Sequence, residues 1–164
     1  MTRERYERIE AWFGVHPVLL RALVGLNCWL PRLVYGVYPL VVLYLAIHKD
    51  ERIFRVLLVP AAAFATVTVL RRVRDTPRPY EELDFTPLIP RAKKGQSFPS
   101  RHTASASVIA AACWSVWPPL GAALAAVALL IAVVRPLGGI HYIRDTVAGL
   151  LLGLAFGLVG FVIV

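Results

Sequence analysis

TASASVIAAACWSVWPPLGAALAAVALLIAVV, residues 103 to 134, runs without a single charged side chain. A helix needs roughly 20 mostly apolar residues to cross a bilayer, because hydrocarbon offers the backbone no hydrogen-bond partner. The stretch is too long for one crossing and Pro118-Pro119 breaks it, so it reads as a hairpin of two spans, 103–117 and 120–134. The pattern repeats outward from the hairpin. LVYGVYPLVVLYLAI (33–47) is a clean span closed by HKDER, and VLLVPAAAFATVTVL (56–70), extended at its start by Ile53, Phe54 and Arg55, returns across the membrane. TVAGLLLGLAFGLVGFVIV (146–164) is the last span. The many Ala and Gly residues of the last three spans suit close helix contacts in lipid.

The predicted fold is therefore an all-α integral membrane helical bundle. It has about five transmembrane helices plus an N-terminal amphipathic or interfacial helix, with six spans as the alternative. In residues 1–31, Arg21 and Asn27 interrupt an otherwise apolar 18–30, so this part reads as an amphipathic or re-entrant helical segment. Residues 32–164 form the transmembrane core. Within it, the connection 73–99 carries five of the chain's twelve prolines, and a connection of that length commonly serves function. The N-terminus mixes acids and bases and has no apolar core followed by small residues, so it does not read as a cleaved signal peptide.

The whole-chain figures agree with this reading. Hydrophobic residues make up 58% of the 164 and charged ones 17%, with a mean hydropathy of +0.65. The net charge of +8 is uneven: between Arg71 and His102 eight basic residues face four acids, so half of the excess lies there. A basic segment beside a membrane suits anionic headgroups or a phosphorylated substrate, and it also fits a cytoplasmic loop under the positive-inside rule. Nucleic acid is a poor partner for a loop pinned to a bilayer. Cys28 and Cys113 sit among apolar residues as packing groups. The chain lacks HExxH, EF-hand and P-loop patterns, so no metal or cofactor is expected.

Alternation of the five spans puts the end of the second, the start of the third and the turn between the fourth and fifth on one membrane face. Three polar clusters lie there. In RRVRDTPRP, Arg71 and Arg78 can converge on phosphate oxygens, while Arg72 and Arg74 fit solvent or lipid headgroups. In SFPSRHTASAS (97–107), Ser100 stands at a helix start, as a cap or as part of an anion site made with Arg101, His102 and the free backbone N–H groups of the first turn. In RPLGGIHYIRDTVAG, His141 and Asp145 are four apart, so on a helix the carboxylate accepts from one ring nitrogen and leaves the other free to attack. A helix-end anchor is the structural alternative for this pair. Arg135 lies just before it. Together these residues can cradle a phosphoryl group, with one His attacking phosphorus and the other protonating the leaving oxygen.

With these residues in place, the sequence resembles the type 2 phosphatidic acid phosphatase family, which is related to bacterial haloperoxidases. The family pattern is K-x6-R-P, then P-S-G-H, then S-R-x5-H-x3-D. Here it reads Arg71-x6-Arg78-Pro79, Pro99-Ser100-Arg101-His102 and Val134-Arg135-x5-His141-x3-Asp145, over about residues 33–164. The resemblance implies that His141 is the nucleophile, Asp145 its orienting partner and His102 the acid on the leaving group. It assigns Arg71, Arg78, Ser100 and Arg135 to the phosphate. Three departures stand out. Arg71 replaces Lys, Arg101 replaces Gly and can still offer its backbone N–H or grip a second phosphate, and Val134 replaces Ser.

The expected function is an integral membrane lipid phosphate or diphosphate phosphohydrolase, working without metal through a phosphohistidine. Candidate substrates by resemblance are isoprenyl diphosphates such as undecaprenyl pyrophosphate, phosphatidylglycerol phosphate and phosphatidic acid. Arg101 with Lys93 and Lys94 favours a diphosphate. The expected partners are the lipid substrate and membrane lipids, with the oligomeric state open, and the expected location is the bacterial cytoplasmic membrane with the site on its outer face. The alternative class is a non-catalytic membrane protein that binds or transports anionic lipid with the same basic pocket. A vanadate-dependent oxidase is a third and more remote reading.

Overall fold

A computed structural model describes residues 2–90 and 94–163. Arg91 and Lys93 of the basic loop lie outside them. The helices are α1 (Arg3–Gly14), α2 (Pro17–Ile47), α3 (Arg52–Arg74), the single turn α4 (Pro79–Glu82), α5 (Arg101–Val116), α6 (Pro118–Leu137) and α7 (Ile143–Leu158). A π-helical turn, Val159–Ile163, continues α7. Helices α2, α3, α6 and α7 with its π turn are long and apolar enough to cross a membrane. The chain is an integral membrane helical bundle.

The fifth helix of the bundle is the hairpin's first arm. At 16 residues α5 is about 24 Å long at 1.5 Å per residue, short of the hydrocarbon thickness. It packs against α2, α3, α6 and α7, and nine of its residues are buried. Its Ala and Ser side chains allow this central position. Helix α7 meets it through Gly149, Gly153 and Gly157, one glycine per turn. A Cβ on these residues would stand 2.2 Å from Thr103 Oγ1, 2.4 Å from the Ala104 carbonyl and 2.4 Å from Ala111 Cβ. The glycines let the two backbones touch, which is how helices associate where no hydrophobic drive separates them from lipid. Val34, Val41, Leu45, Val56, Ile109 and Ile131 are among the residues that fill the rest of the core, while Leu40, Phe54, Leu58 and Leu151 stay exposed on the outside, as lipid-facing residues do.

The N-terminal third differs from the sequence expectation. No break falls at residue 31: α2 runs unbroken through Pro31 and Pro39 for 31 residues, so 17–31 is continuous with the first span. Pro31 lies inside α2 and is buried, and membrane helices tolerate proline where packed neighbours re-satisfy the backbone group it frees. Only α1 remains as a separate N-terminal helix. It lies against the polar end of the bundle, where Tyr6 is fully buried, stacks on Phe85 at 3.8 Å and accepts a 2.7 Å hydrogen bond from the Leu88 N–H. Gly139 has φ +75°, and a Cβ there would lie 2.6 Å from the Tyr6 ring. Phe13, Leu23, Ile89, Val134 and Ile140 form the small apolar cluster beneath.

Candidate active site

Helix α3 ends at Arg74 and the chain crosses to α5 through a segment pinned by its own polar groups. Asp75 accepts from the Gln96 N–H at 3.2 Å, the Thr76 carbonyl from the Ser97 N–H at 2.9 Å and Thr76 Oγ1 from the Phe98 N–H at 3.0 Å. Glu81 accepts from the N–H groups of Arg78 at 2.8 Å and Gly95 at 2.9 Å. These bonds fold the loop back over the bundle end, where α5 starts and the α6–α7 turn lies. The three polar clusters of the sequence thereby meet.

Arg71, on the last turn of α3, is 4% exposed and donates through Nη1 to the carbonyls of Pro99 at 2.6 Å and Ser97 at 3.3 Å. Arg78 is buried; it donates through Nε to the Gly95 carbonyl at 3.1 Å and through Nη1 to the Ile140 carbonyl at 3.0 Å. The same Nη1 lies 3.4 Å from His141 Nε2. Arg135, at the end of α6, is also buried and reaches Asn27 Oδ1 of α2 at 3.4 Å. Three guanidiniums are thus drawn inside at one end of the bundle, each supplied by a different element.

His141 and Asp145 are both buried, 3.5 Å apart from Nδ1 to Oδ2. The same Oδ2 accepts from the Ser97 hydroxyl at 2.5 Å and from the Tyr142 N–H at 3.0 Å. A guanidinium can only donate, so the Nε2 facing Arg78 carries a lone pair and the proton belongs on Nδ1, toward the carboxylate. Burial pushes the imidazole well below its ordinary range, and the charges of Arg135 and Arg78 push the same way, against the opposing pull of Asp145. The ring is therefore neutral, with its basic nitrogen turned to the cations. An imidazole so placed can attack an electrophile held by the arginines.

Ser100 sits at the N-cap of α5, yet its hydroxyl makes no capping bond and has no hydrogen-bond partner among the described residues, although the residue is fully buried. Its N–H donates to the Asp145 carbonyl at 2.8 Å, which ties the start of α5 to α7. The Arg101 guanidinium lies over the Phe64 ring of α3, 5.2 Å from its centroid, and the His102 ring faces Tyr35 of α2 at 6.3 Å between centroids. The structure thus gathers Arg78, His141, Asp145 and Ser100 directly, brings Arg71 in through the loop it holds, and sets the Arg101 side chain against α3.

Several polar partners were not legible from motif spacing. Ser97 and Glu81 act through contacts that only loop closure creates. Asn27 carried a signal, a lone amide inside an apolar run, but nothing in the sequence pairs it with Arg135. Among the described residues no three His, Cys, Asp or Glu side chains gather as a metal ligand set.

The PAP2 superfamily model matches residues 52–164. Among solved structures the chain is similar to LpxE of Aquifex aeolicus, with 27% identity over 97% of this chain and 93% of that one and a TM-score of 0.74. It is also similar to a transmembrane PAP2-type phosphatidylglycerolphosphate phosphatase from Bacillus subtilis, at 22% identity over 94% of this chain and 90% of that one, with a TM-score of 0.49. No curated protein matches.

Proposed function

The chain belongs to the PAP2 superfamily, and on that premise we propose that this membrane lipid phosphatase cleaves a lipid phosphate or diphosphate through a phosphohistidine on His141, without a metal. The orientation of His141 carries this reading: Nε2 faces Arg78 and Nδ1 faces Asp145. In the proposed reaction Nε2 attacks phosphorus in line and the bond from phosphorus to the lipid oxygen breaks. His102 gives its proton to that oxygen. His102, now neutral, takes a proton from water, whose oxygen attacks phosphorus and releases inorganic phosphate and the free imidazole.

The phosphoryl oxygens would be held by Arg71, Arg78, Arg135, the Ser100 hydroxyl and the backbone N–H of Arg101 in the first turn of α5. Charge developing on these oxygens is what such a transfer must stabilise. Asp145 keeps the proton on Nδ1 and stabilises the imidazole as it becomes cationic. The substrate's tail would stay in the bilayer while its headgroup reaches the polar bundle end. Isoprenyl diphosphates, phosphatidylglycerol phosphate and phosphatidic acid are the candidate substrates, and the outer face of a bacterial cytoplasmic membrane is the proposed setting. The core of the machine would run from α2 through α7, with α1 an accessory to it.

Purified protein in mixed micelles of lipid mono- and diphosphates, with chelator present, tests the reading beside His141→Ala. The expected result is phosphate release that survives chelation, is lost in the variant and passes through an acid-labile phosphoenzyme. Folded protein that binds these lipids but releases nothing would overturn catalysis in favour of anionic-lipid binding.

A further inference from the structure

We propose that Ser97 is a positioning residue: its buried hydroxyl bridges His141 and Asp145 and so holds the tautomer that leaves Nε2 free. The inference rests on His141 being the nucleophile. Ser97 Oγ stands 2.5 Å from Asp145 Oδ2 and 3.4 Å from His141 Nδ1. The direct separation of Nδ1 and Oδ2 is 3.5 Å, longer than a good N–H···O bond. An ionised carboxylate only accepts, so the single hydroxyl proton goes to Oδ2, and a lone pair of Oγ is left for the Nδ1 proton. The ring proton is thereby shared between serine and aspartate.

The acceptors for that proton, Ser97 Oγ and Asp145 Oδ2, stand on the Nδ1 side, and the contacts that remain without Ser97 are long, 3.5 Å from Nδ1 to Oδ2 and 3.4 Å from Arg78 to Nε2. His141 is faced by Arg78 from the loop before α4, by Arg135 of α6 and by Asp145 of α7. Neither arginine can accept a hydrogen bond. Ser97 itself cannot turn away, because its N–H is bound by the Thr76 carbonyl at 2.9 Å and its carbonyl by Arg71 at 3.3 Å, and it is fully buried. Arg71 therefore acts on His141 as well, by fixing the backbone that carries the hydroxyl. Without that hydroxyl, Oδ2 would keep, among the described residues, the Tyr142 N–H and the long contact to Nδ1.

The test uses the full chain in micelles with Ser97→Ala, and Ser97→Cys as a variant of nearly equal volume whose thiol is a weak donor. The first readout is the nitrogen-15 spectrum of the four histidines, with the His141 signal assigned by its loss in His141→Gln. The wild type should show one Nδ1–H tautomer; Ser97→Ala should show a mixture and an altered titration, and Ser97→Cys should fall between them. The second readout is phosphate release. In Ser97→Ala kcat should drop about 10- to 100-fold with KM within about twofold, the usual cost of removing a group that orients a working histidine. An unchanged single tautomer in the variants would overturn the proposal, even with lowered turnover. If Ser97→Ala does not fold, the tautomer in Ser97→Cys decides. A wild type that releases no phosphate, yet whose tautomer depends on Ser97, would sink the nucleophile reading and leave the positioning role standing.

Discussion

Ser100 is fully buried, heads α5 and carries a hydroxyl that neither caps the helix nor bonds to another described residue. An unmatched buried hydroxyl costs stability, and the proposed phosphate site would give it a partner. Ser100→Ala should leave the protein as stable or about 1 kcal/mol more stable in thermal melts. In the same variant phosphate release should fall about 100-fold, the usual loss for one donor to a developing oxyanion. A variant that is destabilised and fully active would show a structural hydroxyl instead. The neutral state of His141 gives a second prediction at this scale. Its folded pKa is lowered from 6.5, so between that value and the lowered one the unfolded chain binds a proton that the native site refuses. Stability from this group is complete above pH 6.5 and declines as the pH falls below it. The acid limb of the kcat/KM profile, which reports loss of the neutral His141, should accordingly lie below pH 6.5. An acid limb at or above 6.5 would contradict the lowered value.

At the scale of elements, the contact between α5 and α7 sets the register of the site, because Ser100 lies on one helix and Asp145 on the other. Gly153→Ala would place a methyl group 2.4 Å from the Ala104 carbonyl, a backbone atom that cannot swing aside. Forced separation of packed elements commonly costs about 1–3 kcal/mol, and melting temperature and turnover should fall together. Gly36, inside α2, has nothing within 4 Å of an added Cβ. Gly36→Ala should be neutral or about 0.5–1 kcal/mol stabilising through the helix backbone alone. The pair separates a glycine required by contact from one that is merely tolerated.

Over the whole molecule, α1 reaches back from the N-terminus to brace the loop that carries Arg78 and the α6–α7 turn that carries His141. Tyr6 is the joint, stacked on Phe85, bonded to the Leu88 N–H and packed over Gly139. Burial pushes its phenol up to about 12, so the group stays neutral at any working pH. Tyr6→Phe keeps the ring and removes the acceptor, leaving a buried N–H unmatched. Loss of that bond should cost about 1–3 kcal/mol and speed hydrogen exchange at Leu88. Exchange unchanged at Leu88 would mean that the ring packing alone holds the loop.

Span lengths, the Pro118-Pro119 break and the small residues of the last three spans determine the helical membrane bundle locally, because lipid forces each crossing segment to satisfy its own backbone. The pairing of His141 and Asp145 is also close in sequence, although His141 precedes α7, which begins at Ile143, and so meets Asp145 at the helix entry and not along a helix face as the spacing suggested. Three things were left to the tertiary structure. Residues 17–31 join α2 because helix continuity through Pro31 depends on the packed neighbours around it, not on its neighbours in sequence. The Arg101 side chain turns to Phe64, a choice made by what α3 presents. Ser97 and Asn27 meet His141, Asp145 and Arg135 only when the loop and α2 are packed against them, across separations of 44, 48 and 108 residues that no periodicity encodes.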